Sequence, residues 1–206
     1  MLDLPLELTQ EIEKKPYHHG NLRVALLDVT RQMLAEKGVH EISLREVARK
    51  AGVSRTAPYR HFKDKEALLA AVAIEGFETL TQEMQRALMR NSDKPVVALQ
   101  EIITAYVQYL TRNRAYLTLM FGPFIGDAKA HKELLETKEK MVRVLHEVVK
   151  RCREKKGDSA MDIEVMTVAA WSIMHGAASI LNEGHIPESM NLHSKQEYVA
   201  RQAALT

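Results

Sequence analysis

The sequence predicts an all-α protein, with a small N-terminal helical unit followed by a larger helical domain. Three observations carry that expectation. Apolar residues recur at helical spacing along most of the chain. No stretch shows the sustained alternation of a half-buried strand. Glycine and proline are sparse, nine and six among 206 residues, while hydrophobic residues make up 46 %, ample for a packed helical core.

The elements follow in order. Residues 1–15 have no clear core-facing pattern and read as a mobile arm or a loose helix. From Asn21, the residues Leu22, Leu26, Val29 and Met33 form one stripe of an amphipathic helix, and Gly38 is placed to end it. Ser43-Leu44-Arg45-Glu46 reads as a capping box opening a short helix, with Val47, Ala48 and Ala51 inward and Gly52 as the stop. Ser54 is then expected to cap a third helix of about two turns through Arg55 to His61, with Phe62 anchoring its end. Asp64 caps a long fourth helix, whose stripe Phe77, Leu80, Met84 and Leu88 runs to about Arg90.

Beyond it, Pro95 sits at an N-terminal turn and Leu99, Ile103, Tyr106 and Leu110 make the next stripe. Gly122-Pro123 breaks a short apolar segment. Lys132 to Lys156 is long and amphipathic, with Met141, Leu145, Val148 and Cys152 on one face. Met161 to Asn182 is apolar nearly all round. Its uncharged run, Val165 to Asn182, is shorter than the roughly 20 residues of a membrane span. Burial between domains or protomers explains it better, which predicts a dimer interface with the Lys132–Lys156 helix or the tail around Tyr198 alongside.

Charge is unevenly placed. Residues 14–65 hold twelve Lys/Arg against five Asp/Glu, residues 1–13 hold four acids and no base, and the remainder is near balance at seventeen against eighteen. One basic segment on a near-neutral body points to a polyanionic partner. The helices joined by Ala51-Gly52-Val53-Ser54 supply its form: glycine permits the tight turn and alanine a close approach of the helices. In such a helix-turn-helix the second helix enters the major groove of duplex DNA. Arg55 and Arg60 can reach guanine edges or phosphates, Thr56 and Ala57 can meet thymine methyls, and Tyr59 and His61 can donate to phosphate oxygens. Lys65 stands at a helix N-terminus, where free backbone N–H groups favour an anion.

Run together, residues 44–69, LREVARKAGVSRTAPYRHFKDKEALL, resemble the N-terminal DNA-binding domain of the TetR family. The Tyr59-Arg60-His61-Phe62 core and the Lys63-x-Lys65-Glu66-x-Leu68-Leu69 that follows carry the likeness, and Tyr17 to Arg23 resembles the entry to the first helix of many members. Trp171-Ser172-Ile173-Met174-His175-Gly176 is similar to a Trp…His-Gly signature in one C-terminal branch. The resemblance implies a DNA-binding domain over residues 16–65 and a ligand-binding and dimerisation domain over 66–206. It implies DNA contacts from Arg45, Arg55, Thr56, Ala57, Tyr59, Arg60, His61 and Lys65. Pro58 stands where many members have leucine.

These readings make the chain a ligand-responsive regulator, a repressor that a small, mostly apolar effector releases from a palindromic double-stranded DNA operator. The alternative is an architectural or activating DNA-binding protein with no inducer. A homodimer is expected, in the cytoplasm, with neither membrane attachment nor cofactor. An enzyme is disfavoured, because no nucleophile–base pairing, metal-ligand spacing or phosphate loop is present. His18-His19 reads as a surface pair, since adjacent helical residues do not share a face. The lone Cys152 cannot form an internal disulfide and reads as core, consistent with a reducing compartment. Candidate effector contacts are Tyr106, Tyr109, Met120, Phe121, Phe124, Trp171, Met174 and His175. Each suits either a pocket wall or a dry core.

Overall fold

The computed structural model describes residues 22–126, 131–156 and 162–185. The expected arm at 1–15, the Tyr17–Asn21 entry, Met161 and the tail around Tyr198 lie outside the described residues. Seven α-helices are described: α1 (Leu22–Lys37), α2 (Leu44–Lys50), α3 (Lys65–Arg90), α4 (Pro95–Arg112), α5 (Arg114–Phe121), α6 (Lys132–Lys156) and α7 (Ile163–Glu183), with no strand among them. The chain is all-α, as its periodicity requires.

Helix ends are set by local chemistry. Gly38 (φ +77°) turns the chain out of α1 and Gly52 (φ +68°) out of α2, both in the left-handed region where a side chain is strained. The Ser43 hydroxyl accepts from the Glu46 N–H at 3.2 Å, but only half of the capping box forms. The Glu46 carboxylate turns outward to Arg49 instead, at 2.7 Å, because a charged partner one turn along is a stronger donor than a backbone N–H. Asp64 caps α3 by accepting from the Ala67 N–H at 2.8 Å.

The largest departure from expectation is the third helix. Only a four-residue 3-10 turn, Ala57–Arg60, forms there, and Thr56 precedes it without a side-chain cap. The Ser54 hydroxyl pairs with that of Thr56 at 3.2 Å rather than capping a helix. Pro58 explains the shortening. It has no N–H to give, and its neighbours close i→i+3 bonds: Tyr59 N–H to the Thr56 carbonyl, and His61 N–H to that of Pro58.

A single continuous core runs from Leu26 in α1 to Leu181 in α7. The long α3 joins its two parts, packing on α1 at its N-terminal end and on α4, α5 and α6 along its length. Where α3 meets α5 the fit depends on Gly76. A Cβ there would stand 2.5 Å from the Tyr116 ring and 2.9 Å from Met120 Sδ.

α7 packs on α4 and α6 through Thr167, Met174, Ala177, Ala178 and Leu181. Its other face leaves Val165, Val168, Ile173 and Ile180 exposed. The helix extends past the uncharged run and, by length and composition alone, is long and apolar enough to cross a membrane.

Candidate nucleic-acid interface and the core behind it

The turn after α2 is held from within. Pro58 and Phe62 are buried, and the Arg23 guanidinium lies 5.6 Å from the Phe62 ring centroid. With the apolar residues turned inward, Arg45, Arg55, Thr56, Tyr59, Arg60 and His61 are all exposed, while Ala57 is half-buried. Tyr59 keeps 60 % of its surface open, a cost in apolar exposure that an isolated chain gains nothing from. In a 3-10 turn, side chains three apart eclipse, so Ala57 and Arg60 share one face and Thr56 and Tyr59 another. Lys65 opens α3. It is half-buried, and its ammonium donates to the His40 carbonyl at 3.4 Å, tying α3 to the loop before α2.

Among the candidate effector residues, the structure brings together Tyr106, Phe121, Trp171 and His175. The Trp171 indole N–H donates to the Tyr106 hydroxyl oxygen at 3.2 Å, and that hydroxyl lies 2.9 Å from His175 Nδ1. The Tyr106 hydroxyl and His175 Nδ1 share one hydrogen bond, whose donor is set by the His175 tautomer. Burial lowers the His175 pKa and pushes the Tyr106 phenol far above its ordinary value, so both groups stay neutral. Phe121 packs edge-on to His175 at 4.7 Å and to Phe77 of α3 at 5.3 Å, which carries the cluster onto the long helix.

The other candidates are dispersed. Met174 is fully buried in the same core. Met120 is buried against Gly76, and Tyr109 pairs with Tyr116 at 6.3 Å, both on the α3–α5 side. Phe124 stands apart, edge-on to His40 at 4.8 Å, where the segment after α5 meets the N-terminal unit.

That meeting point contains residues the sequence reading passed over. Glu66, in the first turn of α3, accepts from the Gly126 N–H at 3.1 Å and lies 2.8 Å from His131 Nε2. His131 in turn shares a crevice of about 230 Å³ with His61 and Arg23. This latch links the start of α3, next to the exposed turn at 55–61, to the start of α6. Its members are some 60 positions apart, so no spacing pattern could have found them. Cys152 is buried as expected, yet it also borders a separate cavity between α4, α6 and α7. Among the described residues, no group of three or more His, Cys, Asp or Glu could hold a metal ion.

A basic, exposed turn held on an all-helical body defines a helix-turn-helix regulator of transcription. The comparisons then fix the family. The profile described as "Bacterial regulatory proteins, tetR family" matches residues 26–72, and that described as "Tetracyclin repressor-like, C-terminal domain" matches 99–204. The chain is 29 % identical over 191 residues to the HTH-type transcriptional regulator AcrR of Shigella flexneri, covering 86 % of each. A Rhodococcus sp. RHA1 protein of unknown function superposes with a TM-score of 0.77 at 28 % identity, covering 93 % of this chain and 96 % of the other. The TetR family transcriptional regulator PfmR of Thermus thermophilus gives a TM-score of 0.65 at 18 % identity, covering 87 % and 92 %. The chain belongs to the TetR family, and it is a transcriptional regulator rather than an enzyme.

Proposed function

We propose that the protein is a homodimeric repressor that a small effector releases from a palindromic operator, with residues 16–65 reading DNA and 66–206 binding effector and partner. The carrying observation is the turn at 55–61, whose polar and basic side chains face solvent while its apolar ones lock it to the core. Arg60 and Arg55 read bases, and Thr56 and Ala57 meet thymine methyls. Arg45, Tyr59 and His61 hold the backbone, and Lys65 steadies the turn from behind while adding charge.

The exposed apolar face of α7 supports the dimer. Val165, Val168, Ile173 and Ile180 lie on it, and beside them a Cβ added to Gly176 would meet nothing within 4 Å, leaving room for a close neighbour. A second α7, with α6 at its side, would cover this face and bury on the order of 2,000 Å². Two reading turns would then sit about 34–36 Å apart, or a multiple of that. Burying this face between two copies accounts for the apolar length of α7 without a membrane, and fits a DNA regulator working in the cytoplasm.

Effector release would run through α3. A ligand disturbing the Tyr106–Phe121–Trp171–His175 cluster, with Met174 behind it and Met120 and Tyr109 flanking, would press on Phe77 and tilt the helix. The Glu66–His131 and His40–Phe124 contacts would carry that tilt to the DNA-reading turn. Effector and operator would then weaken each other by the same factor.

Selection of bound sequences from random duplexes tests the reading. It should recover a two-fold symmetric site whose affinity falls steeply with salt. Sedimentation at micromolar concentration should give a dimer. An asymmetric or absent site, or a stable monomer, would overturn it.

A further inference from the structure

A cavity of about 300 Å³ lies between α4, α6 and α7, away from the aromatic cluster. It arises because the α7 residues facing Leu99 and Val149 there include only Ala169 and Ala170 between Met166 and Ile173, so three helices meet around side chains too short to fill the gap. Its wall is mostly apolar, with Leu99 and Val149 buried and the Cys152 thiol among them. Among the described residues the polar end is one-sided: Arg153 and Lys156, from the last turn of α6, line it and no acid does. Arg153 also feels Asp162 at the start of α7, while Lys156 is exposed. Small volume, apolar walls and a cation at one end select an anion with a short apolar tail.

We propose that this cavity binds a medium-chain carboxylate, its tail between α4 and α7 and its head at Lys156. The proposal rests on the ligand-responsive reading above and adds a second place for a ligand, apart from the aromatic cluster, with its chemical class. Binding would wedge α4, which packs directly on α3, so occupancy reaches the linking helix by contact.

Cys152 is the chain's only cysteine, which makes its modification a reporter of this cavity alone. Burial pushes its thiol pKa up, so labelling is slow and is read as a ratio with and without ligand. The full-length protein, free of DNA, is treated with methyl methanethiosulfonate in the presence of hexanoate, octanoate, decanoate or decylamine. Decanoate at about ten times its Kd should slow labelling about tenfold. Affinity should tighten about fourfold per added methylene until the chain outgrows the cavity. Ala170→Phe should abolish decanoate binding by filling the gap, and Lys156→Glu should weaken it at unchanged Tm. Decylamine should protect poorly.

Equal protection by decanoate and decylamine, or none by any carboxylate, overturns the proposal. So does a labelling rate set by protein concentration alone, which would mean that a second copy covers the cavity. If Ala170→Phe fails to fold, calorimetric titration of the carboxylate series on Lys156→Glu and wild type decides in its place. No step uses operator DNA, so failure here leaves the regulator reading standing. Symmetric operator binding that no small molecule relieves would sink the reading and not the site.

Discussion

The turn at 55–61 and the Tyr106–His175 cluster differ in how they are built. The hydrogen bonds shaping the turn itself come from within about ten residues: Pro58 carbonyl to Phe62 N–H, Ser54 hydroxyl to Thr56, Asp64 to Ala67; Arg23 over Phe62 and Lys65 on the His40 carbonyl only brace it from farther along the chain. Its working side chains point into water. The cluster joins residues more than sixty positions apart, and its polar atoms are satisfied by one another in a half-buried setting. A DNA reader can be local because its partner arrives from outside and supplies the missing contacts. As proposed, the cluster is a sensor core, which must be assembled from distant helices because its effect on DNA would travel only through packing. The first tolerates surface substitution at the expense of affinity, whereas the second converts any change into stability.

The sharpest way to break that comparison is at Phe77, where the cluster meets α3. Phe77→Ala empties a fully buried site and should destabilise the fold by about 3–5 kcal/mol in urea unfolding. Operator contacts should survive in whatever fraction stays folded. An unchanged unfolding midpoint would mean the cluster is not coupled to the long helix.

Arg60→Ala should leave unfolding untouched and cost about 1–3 kcal/mol of operator affinity, with preference relaxed at one position of each half-site. Tyr59→Phe should weaken binding to all sequences alike. If the Arg60 variant keeps its full sequence profile, the base-reading role passes to Arg55.

The latch lies between the two regions and should respond as neither does. Glu66 is partly exposed, so Glu66→Ala, which removes the acceptor, should cost only about 0.5–1 kcal/mol of stability. Its signature is local: the Gly126 amide, which donates to that carboxylate, should exchange faster while the middle of α6 stays protected. Identical exchange at Gly126 in wild type and variant would remove the latch.

The smallest effect is a pH dependence. Burial holds the folded His175 pKa below its unfolded value of about 6.5, so folding favours the neutral ring. Its contribution to stability is therefore complete above that pH and is lost as the pH falls through it. The Tm advantage of wild type over His175→Gln should shrink between about pH 8 and pH 5. An advantage that grows on acidification would mean the ring is charged in the fold.

The sequence by itself determined whatever depends on neighbours along the chain. Helical period placed α3, α4 and α6 closely, with α6 running from Lys132 to Lys156, because amphipathic spacing is a property of consecutive residues. Gly38 and Gly52 at the helix ends, and Asp64 as a cap, were legible for the same reason. The residues proposed to contact DNA, Arg45 apart, could be named because they form one short run. Its conformation could not: the expected two-turn helix gave way to a 3-10 turn, where Pro58 withheld an N–H and Phe62 had to reach the core.

Tertiary structure alone decided which apolar residues meet. It drew Tyr106, Phe121, Trp171 and His175 into one cluster, sent Phe124 to His40 and bound Lys65 to a backbone carbonyl. It paired Glu66 with His131 and left a gap beside Cys152 where α7 sets Ala169 and Ala170 between Met166 and Ile173. An apolar stripe specifies that a face is buried without specifying its partner. The partner follows from how the described helices share one volume, and no window of sequence contains that.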